Sequence, residues 1–140
     1  MKILLAVDGS DISTRAAEYV VRLAASLEQP PQVVLFNVDP PLSSSIAAQL
    51  GVEVVAMHHS ENSRRMMQPA HRVLSAARLK VDEEEHVGPV ADTIVKHAKK
   101  LGVDMIVMGS RGTGALKGMF LGSVSSRVLA QSPVPVTIVR

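Results

Sequence analysis

The chain of 140 residues contains no cysteine and very few aromatic residues. Without cysteine it can form no disulfide framework and can carry out no thiolate chemistry. The aromatic residues are Tyr19, Phe36 and Phe120, too few to build the stacking platforms of single-strand binders and RNA-recognition sheets. A net charge of +2 is mild and gives nucleic-acid binding no further support. We therefore expect no nucleic-acid partner.

The sequence also has no long apolar run. The first run, Ile3–Val7, meets Asp8 and Gly9 at once, whereas a membrane-spanning helix needs about 20 apolar residues. No signal-peptide cleavage pattern follows it. We interpret this run as a buried first strand and expect a cytoplasmic protein without a membrane partner.

Apolar runs and helical patterns alternate along the whole chain. Hydrophobic residues make up 46% and charged residues 20% of the sequence, which is typical of a folded globular protein. The apolar runs predict five strands: Lys2–Val7, Val33–Val38, Val81–Val87, Val103–Met108 and Val134–Val139. The helical patterns predict a helix capped by Ser10 or Asp11, and helices over 58–79, from Pro89 to Leu101 and over Ser123–Gln131. Short strands with helices between them indicate one α/β domain over residues 1–140, a doubly wound parallel sheet with helices on both faces.

Three segments of this pattern are less regular. Proline and serine residues predict a loop from Asp39 to about Ala56. Pro69 falls inside the next helical pattern, where it predicts a kink or a helix start. The third strand carries four acidic residues, Asp82–Glu85, and we expect it to be an exposed edge strand.

A glycine-rich segment follows the fourth predicted strand. Five of the nine glycines of the chain lie between Gly109 and Gly122. A strand, a glycine-rich loop and a helix N-terminus in succession form an anion site, because backbone N–H groups point at the ligand. Arg111 and Lys117 can neutralise charge on the same ligand. A plain connection is the alternative, but it needs about two to six residues and this loop uses about thirteen.

Two well-known phosphate loops do not match this segment. A P-loop requires lysine after its second glycine, where the chain has Ala115 after Gly114. A dinucleotide-binding fingerprint requires G-x-G-x-x-G, but after Gly112 and Gly114 the next glycine is Gly118, one residue late.

The segment resembles instead the nucleotide-binding motif of the universal stress protein family, G-x-x-G, nine residues, then G-[ST]. Gly109, Gly112, Gly122 and Ser123 have this spacing. The resemblance covers the whole chain in the order that the family has. Its other parts are Ile3–Val7 with Asp8-Gly9-Ser10, Gly88–Ile94, Asp104–Gly109 and Pro133–Val136.

The resemblance implies a Rossmann-like sheet of strand order 3-2-1-4-5, which brings Asp8 and Gly109 together at the point where the order reverses. It implies ATP or AMP as ligand, with Mg²⁺ or Mn²⁺ on the phosphates. Asp8 would lie near the ribose or the metal, and Val38 would present backbone groups to adenine. The remaining predicted ligand contacts come from the glycine-rich segment: Gly109, Arg111, Gly112, Gly122, Ser123 and Val124.

The histidines and the first serine have plainer interpretations. His58, His59 and His71 have no carboxylate or cysteine at ligand spacing on their helix, so we expect surface histidines and not a metal site. Ser10 is better explained as a helix cap than as a nucleophile. We assign no role to His86 or His97.

Three functions remain open from the sequence. The first is a nucleotide-dependent regulatory protein of the stress response, acting on an unknown protein partner. The second is a slow ATPase or phosphotransferase, although no general base with an orienting partner is visible. The third is a dimerising module without nucleotide. The resemblance also implies a homodimer through the last strand, Val134–Val139.

Overall fold

The computed structural model describes residues 1–114 and 120–140. Five parallel strands form one sheet in the order β3-β2-β1-β4-β5. The strands are β1 (Lys2–Ala6), β2 (Gln32–Asp39), β3 (Val81–Val87), β4 (Met105–Gly109) and β5 (Val136–Val139). The helices are α1 (Asp11–Ala25), α2 (Ser44–Leu50), α3 (Val52–Ala76), α4 (Val90–Leu101) and α5 (Ser123–Gln131). The predicted single-domain, doubly wound α/β fold and its strand order are confirmed.

The strand order reverses at β1, the central strand. Its residue Leu4 pairs with Val34 of β2 on one side and with Ile106 of β4 on the other. The chain therefore leaves the sheet in opposite directions after β1 and after β4, which opens a crevice beyond their carboxyl ends.

Two apolar layers cover the sheet. On one face, residues of β1, β2 and β4 pack against α1 and α3, with Val20 and Leu74 fully buried. On the other face, the alternate residues of the same strands pack against α4 and α5, with Ile106 and Val128 fully buried. Central strands buried on both faces need continuous apolar sequence, which β1 has over Ile3–Ala6 and β2 over Val33–Phe36.

Capping residues set the start of α1 and the end of α4. Ser10 is the N-cap of α1, because its hydroxyl accepts a hydrogen bond from Ser13 N at 3.1 Å. Gly102 ends α4 in the left-handed conformation at φ 60°, which costs glycine little. Of the two predicted caps of α1, Ser10 is confirmed, and Asp11 is the first helical residue.

The region after β2 differs from the prediction. Residues 44–50 form a helix where we expected a loop, with Ser43 as N-cap accepting from Ile46 N. Helix α3 starts at Val52, not at residue 58 or at Pro69, and runs through Pro69. Residues of α2 are all partly or fully exposed, so no buried apolar face marked this helix in the sequence.

The two sheet edges are β3 and β5. The strand β3 has the predicted bounds, and Asp82, Glu83 and Glu85 on it are exposed, which confirms the exposed acidic edge. At the other edge, β5 begins at Val136, two residues after the predicted start at Val134. Within 1–114 and 120–140, no helix has both the length and the apolar character needed to cross a membrane.

Candidate functional site

A cavity of about 490 Å³ lies at the carboxyl ends of β1, β2 and β4. Its size is in the range of small-molecule sites, about 300–1,000 Å³. All eight residues predicted to contact ligand line it: Asp8, Val38, Gly109, Arg111, Gly112, Gly122, Ser123 and Val124. Lys117, a second predicted cation, lies outside the described residues.

Asp8 links the end of β1 to the glycine-rich loop. Its Oδ2 accepts a hydrogen bond from Thr113 N at 2.9 Å. Its Oδ1 accepts from both the backbone N and the hydroxyl of Ser10, at 3.1 and 2.6 Å. Two segments separated by about a hundred residues in sequence therefore meet at one carboxylate, as the strand order predicts for Asp8 and Gly109.

The glycines of the loop allow close approach of neighbouring atoms. A Cβ on Gly112 would collide with the Asp8 carboxylate, and a Cβ on Gly109 would lie 2.8 Å from Ile12 Cγ2. At Gly122, the nearest atom to an added Cβ would be at 3.4 Å, which is ordinary contact. The described glycines of this loop are absent from the positive-φ residues. Close packing, and not left-handed backbone, explains Gly109 and Gly112.

The two ends of the loop are tied together by buried hydrogen bonds. Gly122 N donates to Ser110 O at 2.8 Å. The hydroxyl of Ser125 donates to the same carbonyl at 2.8 Å and to Gly122 O at 3.0 Å. Ser110 and Ser125 are both 2% exposed. They hold the start of α5 beside the end of β4, and sequence reasoning did not identify either of them.

The N-terminus of α5 opens into the cavity. Its N-cap is Gly122 and has no side chain to cap the helix. Serine is a common N-cap, but Ser123 is the first helical residue and not the cap. The first backbone N–H groups of a helix have no partner within it, and the first two residues of α5, Ser123 and Val124, line the cavity. Arg111, half-buried, adds a positive charge to the same cavity.

The other end of the cavity lies beyond the end of β2. Val7 N donates to Phe36 O at 3.0 Å, so the backbone groups of Phe36 face β1. The N–H and C=O groups of successive residues in a strand point to opposite sides, so those of Val38 point to the same side as those of Phe36. Because β1 has already ended at this level, the backbone groups of Val38 face the space beyond its last residue. The side wall here is apolar, with Val38, Ile94 and Met108 among its residues.

Asn37 is a buried polar residue of the cavity lining. It is 3% exposed, and its Nδ2 donates to Val7 O at 2.8 Å. Its Oδ1 is buried and has no hydrogen-bond partner among the described residues. Asn37 thereby fixes the end of β1 against β2.

A second polar group lies beside the cavity, where β2 meets α3. Asp39 Oδ2 is 2.5 Å from His59 Nδ1, and Asp39 Oδ1 accepts from Asn62 Nδ2 at 2.6 Å. His59 is 7% exposed, so our expectation of a surface histidine is wrong for this residue. The carboxylate partner comes from another element, which is why spacing along the helix did not reveal it. His58 and His71 are exposed as expected.

Together, the fold and the cavity define a Rossmann-like α/β domain with a glycine-rich loop at the reversal of strand order. The model of the universal stress protein family matches residues 1–140. The chain therefore belongs to the universal stress protein family.

Individual relatives agree with this family. The chain is 36% identical to the universal stress protein YxiE of Bacillus subtilis, over 99% of this chain and 98% of the relative. Among solved structures, the MJ0577 protein of Methanocaldococcus jannaschii has a TM-score of 0.83 at 30% identity, covering 99% of this chain and 94% of that one. A universal stress protein solved in complex with cAMP has a TM-score of 0.65 at 26% identity, covering 100% of this chain and 96% of that one.

Proposed function

We propose that the cavity binds an adenine nucleotide, ATP or AMP, and that the chain is a nucleotide-dependent regulatory protein. The observation that carries the proposal is the uncapped N-terminus of α5, which opens into the cavity beside Arg111. Free N–H groups, the helix dipole and a guanidinium together favour a phosphate group. The glycine-rich loop lets the backbone approach that group closely.

The base is proposed to lie at the other end, against Val38. The backbone groups of this residue face the cavity beyond β1, and backbone N–H and C=O groups can pair with the amidine edge of adenine. The apolar side chains of Ile94 and Met108 suit a flat aromatic ring. The cAMP complex of a relative supports an adenine ligand. Guanine presents an O6 acceptor and a protonated N1 at the same edge and should bind more weakly.

Asp8 is proposed to lie near the ribose or a phosphate-bound Mg²⁺ or Mn²⁺. Each carboxylate oxygen has two lone pairs, and the hydrogen bonds to Ser10 and Thr113 do not use all of them. The described lining of the cavity contains two carboxylates, Asp8 and Asp39, and no histidine. Asp39 is engaged with His59 and Asn62, and Asp8 is assigned to the ribose or the metal, so we propose a binding role with at most slow hydrolysis.

Calorimetric titration with Mg-ATP, AMP and Mg-GTP tests this function. We expect one ATP or AMP per chain and weaker binding of GTP. Arg111→Gln should reduce the affinity for ATP more than that for AMP, because it removes charge near the phosphates. Arg127→Gln is a matched control, since Arg127 is an exposed arginine of α5 outside the cavity lining. Equal effects of the two substitutions, or no binding to the native protein, would reject the assignment.

We further propose a homodimer through the edge strand β5. The carbonyl groups of Pro135 and Val139 accept hydrogen bonds from Ile106 N of β4 and from Ser110 N just after it. The backbone groups of Val136 and Ile138 therefore face the open edge. An edge strand without charge favours pairing with another chain. An antiparallel pair about a two-fold axis would join two sheets, leaving both cavities accessible to nucleotide and to a regulatory partner.

A further inference from the structure

Three potential metal ligands from two elements meet beside the cavity. Asp39 ends β2, and His58 and His59 lie in α3, about twenty residues later. One ligand atom of each side chain lies within 4.8 Å of the other two. Asp39 and His59 are buried, whereas His58 is exposed.

The chemistry of this donor set selects a particular class of ion. Two imidazole nitrogens with one carboxylate oxygen suit zinc and similar divalent transition metals. Magnesium prefers a shell of oxygen ligands and retains several waters. We propose that Asp39, His58 and His59 bind one zinc-type divalent ion, with a fourth position open to water.

The surroundings of Asp39 support this assignment. Asn62 Nδ2 holds Oδ1 at 2.6 Å, which orients the carboxylate and directs Oδ2 towards His59 Nδ1, 2.5 Å away. Such outer hydrogen bonds to a ligating carboxylate are a regular part of metal sites. An ion entering between these two atoms takes the place of the shared hydrogen, and His59 then carries its proton on Nε2.

The required movement is small. In a tetrahedral site with metal–ligand bonds of about 2.0–2.2 Å, ligand atoms lie about 3.3–3.6 Å apart. Side-chain rotations that move the ligand atoms by about 1 Å therefore convert the observed cluster into a coordination shell. Because His58 is exposed, its ring can swing towards the ion without disturbing the core.

The simpler alternative is a structural hydrogen bond between His59 and Asp39 that only attaches α3 to β2. That bond accounts for the two buried residues and gives His58 no part. His58 is therefore the residue that separates the two explanations. The proposal does not depend on nucleotide binding, and the site differs from the phosphate-bound metal expected at Asp8. Asp39 and Asn62 also line the cavity, so the ion would stabilise part of its wall.

The test is a Zn²⁺ titration of chelator-treated protein against a chromophoric zinc indicator, with Co²⁺ absorption as a second readout. We expect one Zn²⁺ per chain, undiminished by millimolar Mg²⁺, and a visible Co²⁺ spectrum of four-coordinate type. His58→Ala should weaken Zn²⁺ binding at least tenfold and leave thermal unfolding of the metal-free protein unchanged, since the side chain is exposed. His71→Ala is the matched control, an exposed histidine of the same helix, and should bind Zn²⁺ as the native protein does.

Two results would overturn the proposal. One is that the native protein binds no Zn²⁺ at a stoichiometry of one per chain. The other is that His58→Ala and His71→Ala bind Zn²⁺ alike, which would leave His59 and Asp39 as a structural pair. Asp39→Asn provides a second check if it folds, because it keeps the shape of the side chain, and the proposal expects it to lose both Zn²⁺ affinity and the Co²⁺ spectrum.

Discussion

The contact between Gly112 and Asp8 gives the sharpest prediction for the loop. A methyl group added at Gly112 collides with the Asp8 carboxylate, whereas one added at Gly114 meets no described atom within 4 Å. Neither glycine has a positive φ, so alanine causes no backbone strain at either position. Gly112→Ala and Gly114→Ala therefore compare the same substitution in one loop, with and without the collision.

The magnitude follows from the hydrogen bond that the collision disturbs. Thr113 N donates to Asp8 Oδ2 at 2.9 Å in a solvent-exposed position. Hydrogen bonds to charged groups contribute about 1.5–3 kcal/mol, and exposure reduces this to about 1 kcal/mol. If the nucleotide needs the carboxylate in its present place, Gly112→Ala should raise the dissociation constant of Mg-ATP about fivefold to tenfold.

Calorimetry of both variants with Mg-ATP measures this difference. We expect Gly114→Ala to bind within about twofold of the native protein, because the added methyl group meets no described atom and disturbs no hydrogen bond of Asp8. Thermal unfolding without ligand controls for global damage. Equal affinities of the two variants would refute the reasoning that close packing of Gly112 on Asp8 shapes the site.

Three further predictions concern the hydrogen bonds and the edge of the sheet. Ser125→Ala removes the buried hydroxyl that ties the loop ends and should lower the free energy of unfolding by about 1 kcal/mol. Ser126→Ala changes an exposed serine and should not; equal midpoints of urea unfolding for the two variants would contradict this. Ser10→Ala removes a helix cap and a hydrogen-bond donor to Asp8, so it should lower the free energy of unfolding by about 1 kcal/mol and also weaken ATP binding. An unaltered affinity for ATP would argue against a role of Asp8 in nucleotide binding. In light scattering, the native protein should have twice the mass of one chain. Val136→Pro removes an outward-facing N–H and should weaken the dimer more than Val136→Ala. A monomeric native protein would reject the interface.

The central strands could be predicted from sequence because burial on both faces requires a run of apolar residues. Strands β1 and β2 are buried on both faces at their centres, and the sequence there is continuously apolar, over Ile3–Ala6 and Val33–Phe36. Helix α2 left no such mark, because none of its residues is buried, and its serine-rich start was interpreted as a loop. The serine cap at Ser43 was the one signal that could have revealed it.

The candidate site was predictable where glycine spacing encodes a loop, and less so where side chains meet across the fold. The spacing of Gly109, Gly112 and Gly122 located the segment that lines the cavity. The pairing of Asp39 with His59 depends on the packing of α3 against β2, which no spacing along the chain expresses. Ser125 was missed for a related reason, since a buried serine in a polar run looks like an exposed one.

Mass spectrometry of bound ligand determines whether the cavity holds an adenine nucleotide. Purified protein is incubated with equal concentrations of Mg-ATP and Mg-GTP, desalted, denatured, and its released nucleotides are quantified. We expect close to one adenine nucleotide per chain, mostly unhydrolysed ATP, and little GTP. An empty protein, or equal retention of GTP and ATP, would contradict it.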